Sequence, residues 1–174
     1  MRIKLFVMVL VIALIFGLTG CFQGRELDFP VSETGFPIGF TRVSDGVQIS
    51  LGMYINEVES IMSDSVEYRF PQVGLVFFDD IDIRYVNYRL TSVSTRMEDD
   101  DWIIAGEISV GGDIQSAIDS DNFTNLIHAH RPNAIIFVDD LENPVYAWNI
   151  GYNPWGIIHS MHVVYLPEFS DFLN

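Results

Sequence analysis

Two blocks of this sequence occur twice at an almost constant spacing. Ile49-Ser-Leu-Gly52 recurs as Ile108-Ser-Val-Gly111, 59 residues further on. Gly74-Leu-Val-Phe-Phe-Asp-Asp80 recurs as Ala134-Ile-Ile-Phe-Val-Asp-Asp140, 60 residues further on. A repeat of this period is typical of two copies of one structural unit. The fold must therefore accommodate two similar units of about 60 residues.

Each copy combines a helix-like segment with strand-like runs. The helical faces hold Ile55, Val58, Ile61 and Met62 in the first copy, and Ile114, Ala117 and Ile118 after an N-cap at Asp113 in the second. Runs of β-branched and aromatic residues follow, at 66–70, 73–78, 83–86 and 88–96, and at 126–130, 134–138, 145–150 and 157–165. The pattern predicts an α+β fold of two tandem units, each a short helix followed by an antiparallel β-meander, with the helices packed on one side of the sheet.

The N-terminus has the layout of a secretory signal. Arg2 and Lys4 precede the uncharged run Leu5–Phe16, and small residues follow. This run is shorter than the roughly 20 residues of a membrane-spanning helix. The segment ends in Leu18-Thr19-Gly20-Cys21, which resembles the lipobox of bacterial lipoproteins. The resemblance implies cleavage before Cys21 and a diacylglyceryl group on its sulfur.

Two other outcomes are open for this segment, a cleaved signal without lipid and an uncleaved membrane anchor. Lipidation is favoured because Cys21 is the only cysteine, and a lone thiol is unusual in an exported protein. The expected location is the cell envelope, lipid-anchored to the membrane and facing outside the cytoplasm.

The mature chain is strongly acidic. After removal of residues 1–20 it has seven arginines, no lysine and 24 acidic residues, a formal net charge of −17. Such a charge repels nucleic acids and anionic headgroups. We therefore expect no nucleic acid partner, a membrane contact through the N-terminal lipid only, and otherwise a domain that stands off from the bilayer.

The composition also suggests domain boundaries. We predict a signal peptide at 1–20, the lipidated Cys21 and a flexible tether at 21–45, a first unit at 46–98, a second unit at 99–166 and a tail at 167–174. Pro30, Pro37 and several glycines favour the tether.

The segment Ile49–Val58 gives a second resemblance. Its pattern, Ile-x-x-Gly-Met-x-x-x-Glu-Val, is similar to the opening of small outer-membrane assembly lipoproteins and of domains related to the β-lactamase inhibitory protein. That family implies a helical segment on an antiparallel sheet, often in tandem, that binds other proteins. The sequence departs from the family at Tyr54, where Ser or Thr is usual, at Ser63-Asp64, and at Gly112, which replaces the methionine.

Candidate chemistry is sparse. His128 and His130 share a strand face and could bind a metal with His159, whereas a strand would point His159 and His162 to opposite faces. Asp79-Asp80 and Asp139-Asp140 fit hairpin turns better than a calcium or catalytic site. No nucleophile or phosphate-binding motif is present, so we expect no cofactor and no enzymatic activity.

Aromatic residues are dense near the end of the second unit. Tyr146, Trp148, Tyr152 and Trp155 are candidate partner-binding residues, with core packing as the alternative for each. The sequence therefore favours a membrane-anchored lipoprotein that acts as a non-enzymatic binding or assembly module for another envelope protein. The alternatives are an inhibitor or immunity-type protein against an envelope enzyme, and a metal-binding enzyme.

Overall fold

A computed structural model describes Phe29 and residues 35–62, 66–95, 101–123, 125–128 and 132–168. The signal peptide, Cys21, His130 and most of the predicted tail lie outside the described residues.

The two halves of the chain contain their α-helix and six strands in the same order. The first half has β1 (Gly39–Arg42), β2 (Gln48–Ser50), α1 (Ile55–Ile61), β3 (Val66–Phe70), a 3₁₀ turn (Pro71–Val73), β4 (Leu75–Phe78), β5 (Ile81–Val86) and β6 (Arg89–Thr95). The second half has β7 (Trp102–Ile104), β8 (Ile108–Ser109), α2 (Ile114–Ile118), β9 (Asn125–His128), β10 (Ala134–Val138), β11 (Tyr146–Tyr152), β12 (Ile158–Tyr165) and a 3₁₀ turn (Leu166–Glu168).

The strands form two antiparallel sheets, and both are shared by the two halves. The larger sheet has eight strands in the order β3-β4-β5-β6-β12-β11-β10-β9, and the smaller has four in the order β2-β1-β7-β8. The halves meet where β6 pairs with β12, with Val93 opposite Val163, and where β1 pairs with β7. Each junction joins equivalent strands in antiparallel fashion, which is a local two-fold arrangement.

The α+β prediction, with a helix and a meander as the unit, is wrong. The described residues are mostly strand, and the two helices have only seven and five residues. The prediction missed the four-stranded sheet because β2, β7 and β8 have three residues or fewer, which is too short for a period-two pattern to emerge.

The core lies between the two sheets and the helices. The rings of Phe40 on β1 and Trp148 on β11 are 4.9 Å apart, and Trp148 Nε1 donates a 2.6 Å hydrogen bond to the carbonyl of Pro37. Val58 of α1 and Ala117 of α2 are fully buried in the same core. The flexible tether predicted at 21–45 therefore needs correction, because its later part, including the buried Phe36, belongs to the folded domain.

The repeated Ile-Ser-x-Gly block forms the same turn in both halves. Gly52 and Gly111 have φ of 88° and 84°, a region that favours glycine because it lacks Cβ. Each glycine N–H donates to a strand carbonyl of its own half, Gly52 to Leu90 and Gly111 to Ile158. The block recurs because it fixes each helix to the hairpin that it packs against.

Among the residues described, no helix has the length and apolar character needed to cross a membrane.

Asp80 connects the two halves at a buried tryptophan. The Trp102 side chain is fully buried on β7, and its Nε1 donates a 2.7 Å hydrogen bond to Asp80 Oδ2 in the β4–β5 turn. The guanidinium carbon of Arg42 lies 5.3 Å from the centre of the Trp102 ring. This carboxylate therefore joins a hairpin of the first half to a strand of the second.

We expect Asp80→Ala to lower the free energy of unfolding by about 1–3 kcal/mol, because the buried indole N–H loses its acceptor. Asp79→Ala, at the exposed neighbouring position, is the matched control and should change stability by about 0.5 kcal/mol or less. Urea denaturation measures both. An Asp80→Ala variant as stable as Asp79→Ala would show that the indole hydrogen bond contributes nothing.

Candidate functional site

The loop between β11 and β12 holds an exposed indole on an ordered turn. Asn153 Oδ1 accepts hydrogen bonds from the backbone N–H groups of Trp155 and Ile157, both at 3.0 Å. The Gly156 N–H donates to the Asn153 carbonyl at 2.9 Å. The Trp155 side chain is 84% exposed, so a defined backbone presents a large apolar surface to solvent.

Helix α2 holds this loop in place. The Ile114 N–H donates to the carbonyl of Gly156 at 2.8 Å, and Asp113 forms an isolated antiparallel bridge with Ile157. Ile157 is itself partly exposed beside Trp155. The loop is therefore fixed at both its turn and its flank, which leaves little backbone entropy to lose on binding.

The equivalent hairpin of the first half, between β5 and β6, ends in Asn87-Tyr88. Both residues have positive φ, 49° and 64°, as in the type I′ turn that closes two-residue hairpins. Tyr88 is 71% exposed. The next residue, Arg89, places its guanidinium 3.6 Å from the centre of the Tyr54 ring and donates to the Tyr54 hydroxyl at 2.8 Å.

The two aromatic hairpin tips lie at opposite ends of the eight-stranded sheet. Because β6 and β12 are antiparallel, with Val93 opposite Val163, the start of β6 and the start of β12 lie at opposite ends of the sheet along the strand direction. We refer to these as the Tyr88 end and the Trp155 end. Phe29 packs on Tyr165, with ring centres 4.5 Å apart, so the chain enters the domain at the Tyr88 end.

The four predicted partner-binding aromatics do not form one surface. Tyr146 and Trp148 are almost fully buried, so assigning them to a binding surface is wrong, because their face of β11 packs against the smaller sheet. Tyr152 is partly buried and packs against the core. Only Trp155 is strongly exposed. Sequence analysis did not single out Tyr88, although Asn-Tyr in place of the favoured Asn-Gly was a visible signal.

The candidate metal-binding histidines are not brought together. His128 on β9 and His159 on β12 are separated by β10 and β11, about 14 Å at the usual strand spacing, which is too far to share an ion. A bulge opposite Gly151 and Tyr152 also brings the His159 ring against Gly151, so the simple alternation assumed for His159 and His162 does not hold. In the described part of the chain, no three potential ligands cluster for a metal.

The aspartate pairs differ between the two halves. Asp139 Oδ1 accepts the N–H groups of Val145 and Tyr146, and Asp140 Oδ1 accepts those of Glu142 and Asn143, which is turn chemistry. These backbone N–H groups lower the pKa of the Asp140 carboxyl. Asp80 instead accepts the buried Trp102 indole, as described above.

A serine and a histidine are hydrogen-bonded on the outer face of the larger sheet. Ser92 Oγ and His162 Nε2 are 2.6 Å apart, and burial lowers the pKa of His162 to about 4. Ser92 is buried, so its hydroxyl is not open to a substrate. The pair stabilises the junction between β6 and β12 and is not arranged as a nucleophile and its base.

Comparisons with protein-family models, with curated proteins and with solved structures give no match to this chain. The resemblances to lipoproteins and to the β-lactamase-inhibitory-protein-like domains remain predictions from the sequence.

His162 makes stability depend on pH. Its pKa is about 4 in the folded chain and about 6.5 when unfolded, so between these values the unfolded chain binds a proton that the folded chain does not. Acidification from pH 6.5 to 4 should therefore remove up to about 3 kcal/mol of stability. Chemical denaturation at a series of pH values measures this loss.

His162→Gln is the control for that measurement, since glutamine retains hydrogen-bonding groups but does not titrate. Carboxyl groups of proteins generally ionise in an overlapping pH range, so the informative quantity is the difference in stability between the two proteins. Parallel pH profiles for the wild type and His162→Gln would contradict the prediction.

Proposed function

We propose that this protein is a lipid-anchored, extracytoplasmic lipoprotein that binds another protein of the cell envelope without catalysing a reaction. The observation that carries the binding role is Trp155, a strongly exposed indole on a turn fixed by Asn153 and α2. Tryptophan is enriched among the residues that dominate binding energy at protein interfaces.

The geometry of the Trp155 end supports this proposal. Residues 144–167 include no Asp, Glu, Lys or Arg, so the loop itself is uncharged, and the acidic Asp113 lies beside it through its bridge with Ile157. Its backbone is held by hydrogen bonds before any partner arrives, which lowers the entropic cost of association. An apolar anchor surrounded by acidic surface suits a partner with an apolar pocket and a basic rim.

The non-enzymatic part of the proposal rests on the polar groups of the domain. The hydrogen-bonded Ser92 is buried, and the Asp139 and Asp140 carboxylates are occupied by backbone N–H groups. The hydrogen bonds of Ser92, Asp139 and Asp140 stabilise strands and turns. Within the described residues these three side chains do not converge on an open pocket.

We expect Trp155→Ala to weaken binding of the partner by at least about 30-fold, corresponding to about 2 kcal/mol. The partner is first trapped from envelopes by a photo-crosslinking amino acid at the exposed neighbouring position 154, which leaves Trp155 in place, and its affinity is then measured with purified proteins. Tyr88→Ala, at the equivalent tip of the other half, is the matched control and should bind normally. Equal affinities for wild type and Trp155→Ala would refute the assignment of this site.

The lipid anchor is tested separately, by mass spectrometry of the mature N-terminus. We expect cleavage before Cys21 and the mass of a diacylglyceryl group on it. An unmodified Cys21 would refute the anchor and leave the Trp155 measurement unaffected.

A further inference from the structure

We propose that the Tyr88 end of the larger sheet rests on the phospholipid bilayer, with Tyr88, Val73 and Phe70 contacting the headgroup region. This inference rests on the lipid anchor at Cys21 in the proposed function. It adds an orientation, in which Trp155 points away from the membrane.

The short tether limits where the domain can lie. Seven residues lie between Cys21 and Phe29, and the eight Cα–Cα steps that join them span at most about 28 Å when fully extended. Phe29 packs against Tyr165 and Gly52, both at the Tyr88 end. This end of the sheet is therefore held within about 28 Å of the lipid-bearing residue.

The same limit disfavours contact through the Trp155 end. The eight residues of β12 run from Ile158 at one end to Tyr165 at the other, a length of about 23 Å. Trp155 lies beyond Ile158, so its distance from Phe29 approaches the full reach of the tether. A membrane contact at Trp155 would require an almost completely extended tether. Contact at the Tyr88 end can form without extending the tether.

The Tyr88 end exposes the side chains that such a contact needs. Tyr88, Val73 and Phe70 are all exposed large hydrophobic residues. Phe70 precedes the 3₁₀ turn between β3 and β4, and Val73 is its last residue. The Tyr85 N–H donates to the carbonyl of Gly74 at the end of this turn, which brings the turn next to the β5–β6 hairpin. Tyrosine, with an apolar ring and a polar hydroxyl, suits the membrane–water interface.

The backbone of Tyr88 is a second, independent observation. Its φ of 64° is a conformation that favours glycine and is costly for a bulky side chain. The hairpin thus keeps an exposed aromatic ring where glycine would close the turn with less strain. Backbone conformations of this kind occur more often at functional sites than elsewhere.

The charge distribution is the third observation. Arg69, Arg84 and Arg89 lie on β3, β5 and β6 near this end of the sheet, and the turns at 71–74 and 87–88 contain no acidic residue. The neighbouring acidic residues, Glu57 and Glu59 of α1, are each hydrogen-bonded within the domain. Of the three arginines, Arg69 pairs with Glu59. Exposed apolar side chains beside arginines suit anionic lipid headgroups, so the proposed contact is local to this corner of an otherwise acidic domain.

The experiment uses the full mature lipoprotein in vesicles of phosphatidylcholine and phosphatidylglycerol. Because lipid occupies Cys21, a cysteine introduced by Val73→Cys or Trp155→Cys is the single free thiol and takes an environment-sensitive fluorophore. Lipids with a spin label in the headgroup quench fluorophores at the interface. We expect at least a threefold larger quench for the label at position 73 than at position 155, and equal or reversed quenching would overturn the orientation.

Tyr88→Gly tests the role of the ring directly, in the chain labelled at position 73. We expect a melting temperature equal to or above that of the wild type, because glycine relieves the turn, together with a loss of at least half of the quenching. Unchanged quenching would overturn the role of Tyr88. Mass spectrometry of the same sample separates the two proposals, since lipidated protein without quenching refutes only the docking, whereas absence of lipid on Cys21 removes the basis of both.

Discussion

The pairing of β6 with β12 is the interaction on which the rest of the structure depends. It joins the four strands of one half to the four of the other, with Val93 opposite Val163 and Ser94 opposite His162. Without it, the larger sheet would be two separate four-stranded sheets, each with one further edge exposed to solvent. In the smaller sheet, the pairing of β1 with β7 joins the two halves in the same way. Strands of each half therefore help to enclose the core of the other. Disulfides take no part, because the chain has one cysteine, and apolar packing between the sheets holds the halves together.

Part of this fold is readable in the sequence. The eight strands of the larger sheet lie within a few residues of the predicted runs, because each run alternates between a core face and an outer face or is bounded by turn residues. The smaller sheet was not readable, because β8 has two residues and its pairing is decided by Trp102 and Ile104 filling the space over the larger sheet. Phe36 and Phe40 lie in a Pro- and Gly-rich stretch that is typical of a tether. Only their tertiary contacts show that they are buried in the core.

The candidate site was less predictable than the fold. Tyr146, Trp148 and Trp155 are similar in type and close in sequence, yet the first two fill the core and the third is in solvent. The distinction depends on the register of β11 and on Asn153, whose side chain accepts two backbone N–H groups and turns the chain before Trp155. The Asn87-Tyr88 pair indicates a hairpin turn in the sequence, but the exposure of the Tyr88 ring and its positive φ are shown only by the structure.

The local two-fold arrangement gives the two aromatic tips their different surroundings. Both tips close equivalent hairpins and both are bonded to the start of a helix, Tyr88 through Ile55 and Gly156 through Ile114. A two-fold relation between halves places equivalent loops at opposite ends, so one chain presents two similar loops in opposite directions. A tether can enter the domain at only one end, and Phe29 fixes that end as the one with Tyr88. The contact between Phe29 and Tyr165 therefore distinguishes the two equivalent loops, because Phe29 packs at the end of the sheet that carries Tyr88 and not at the end that carries Trp155.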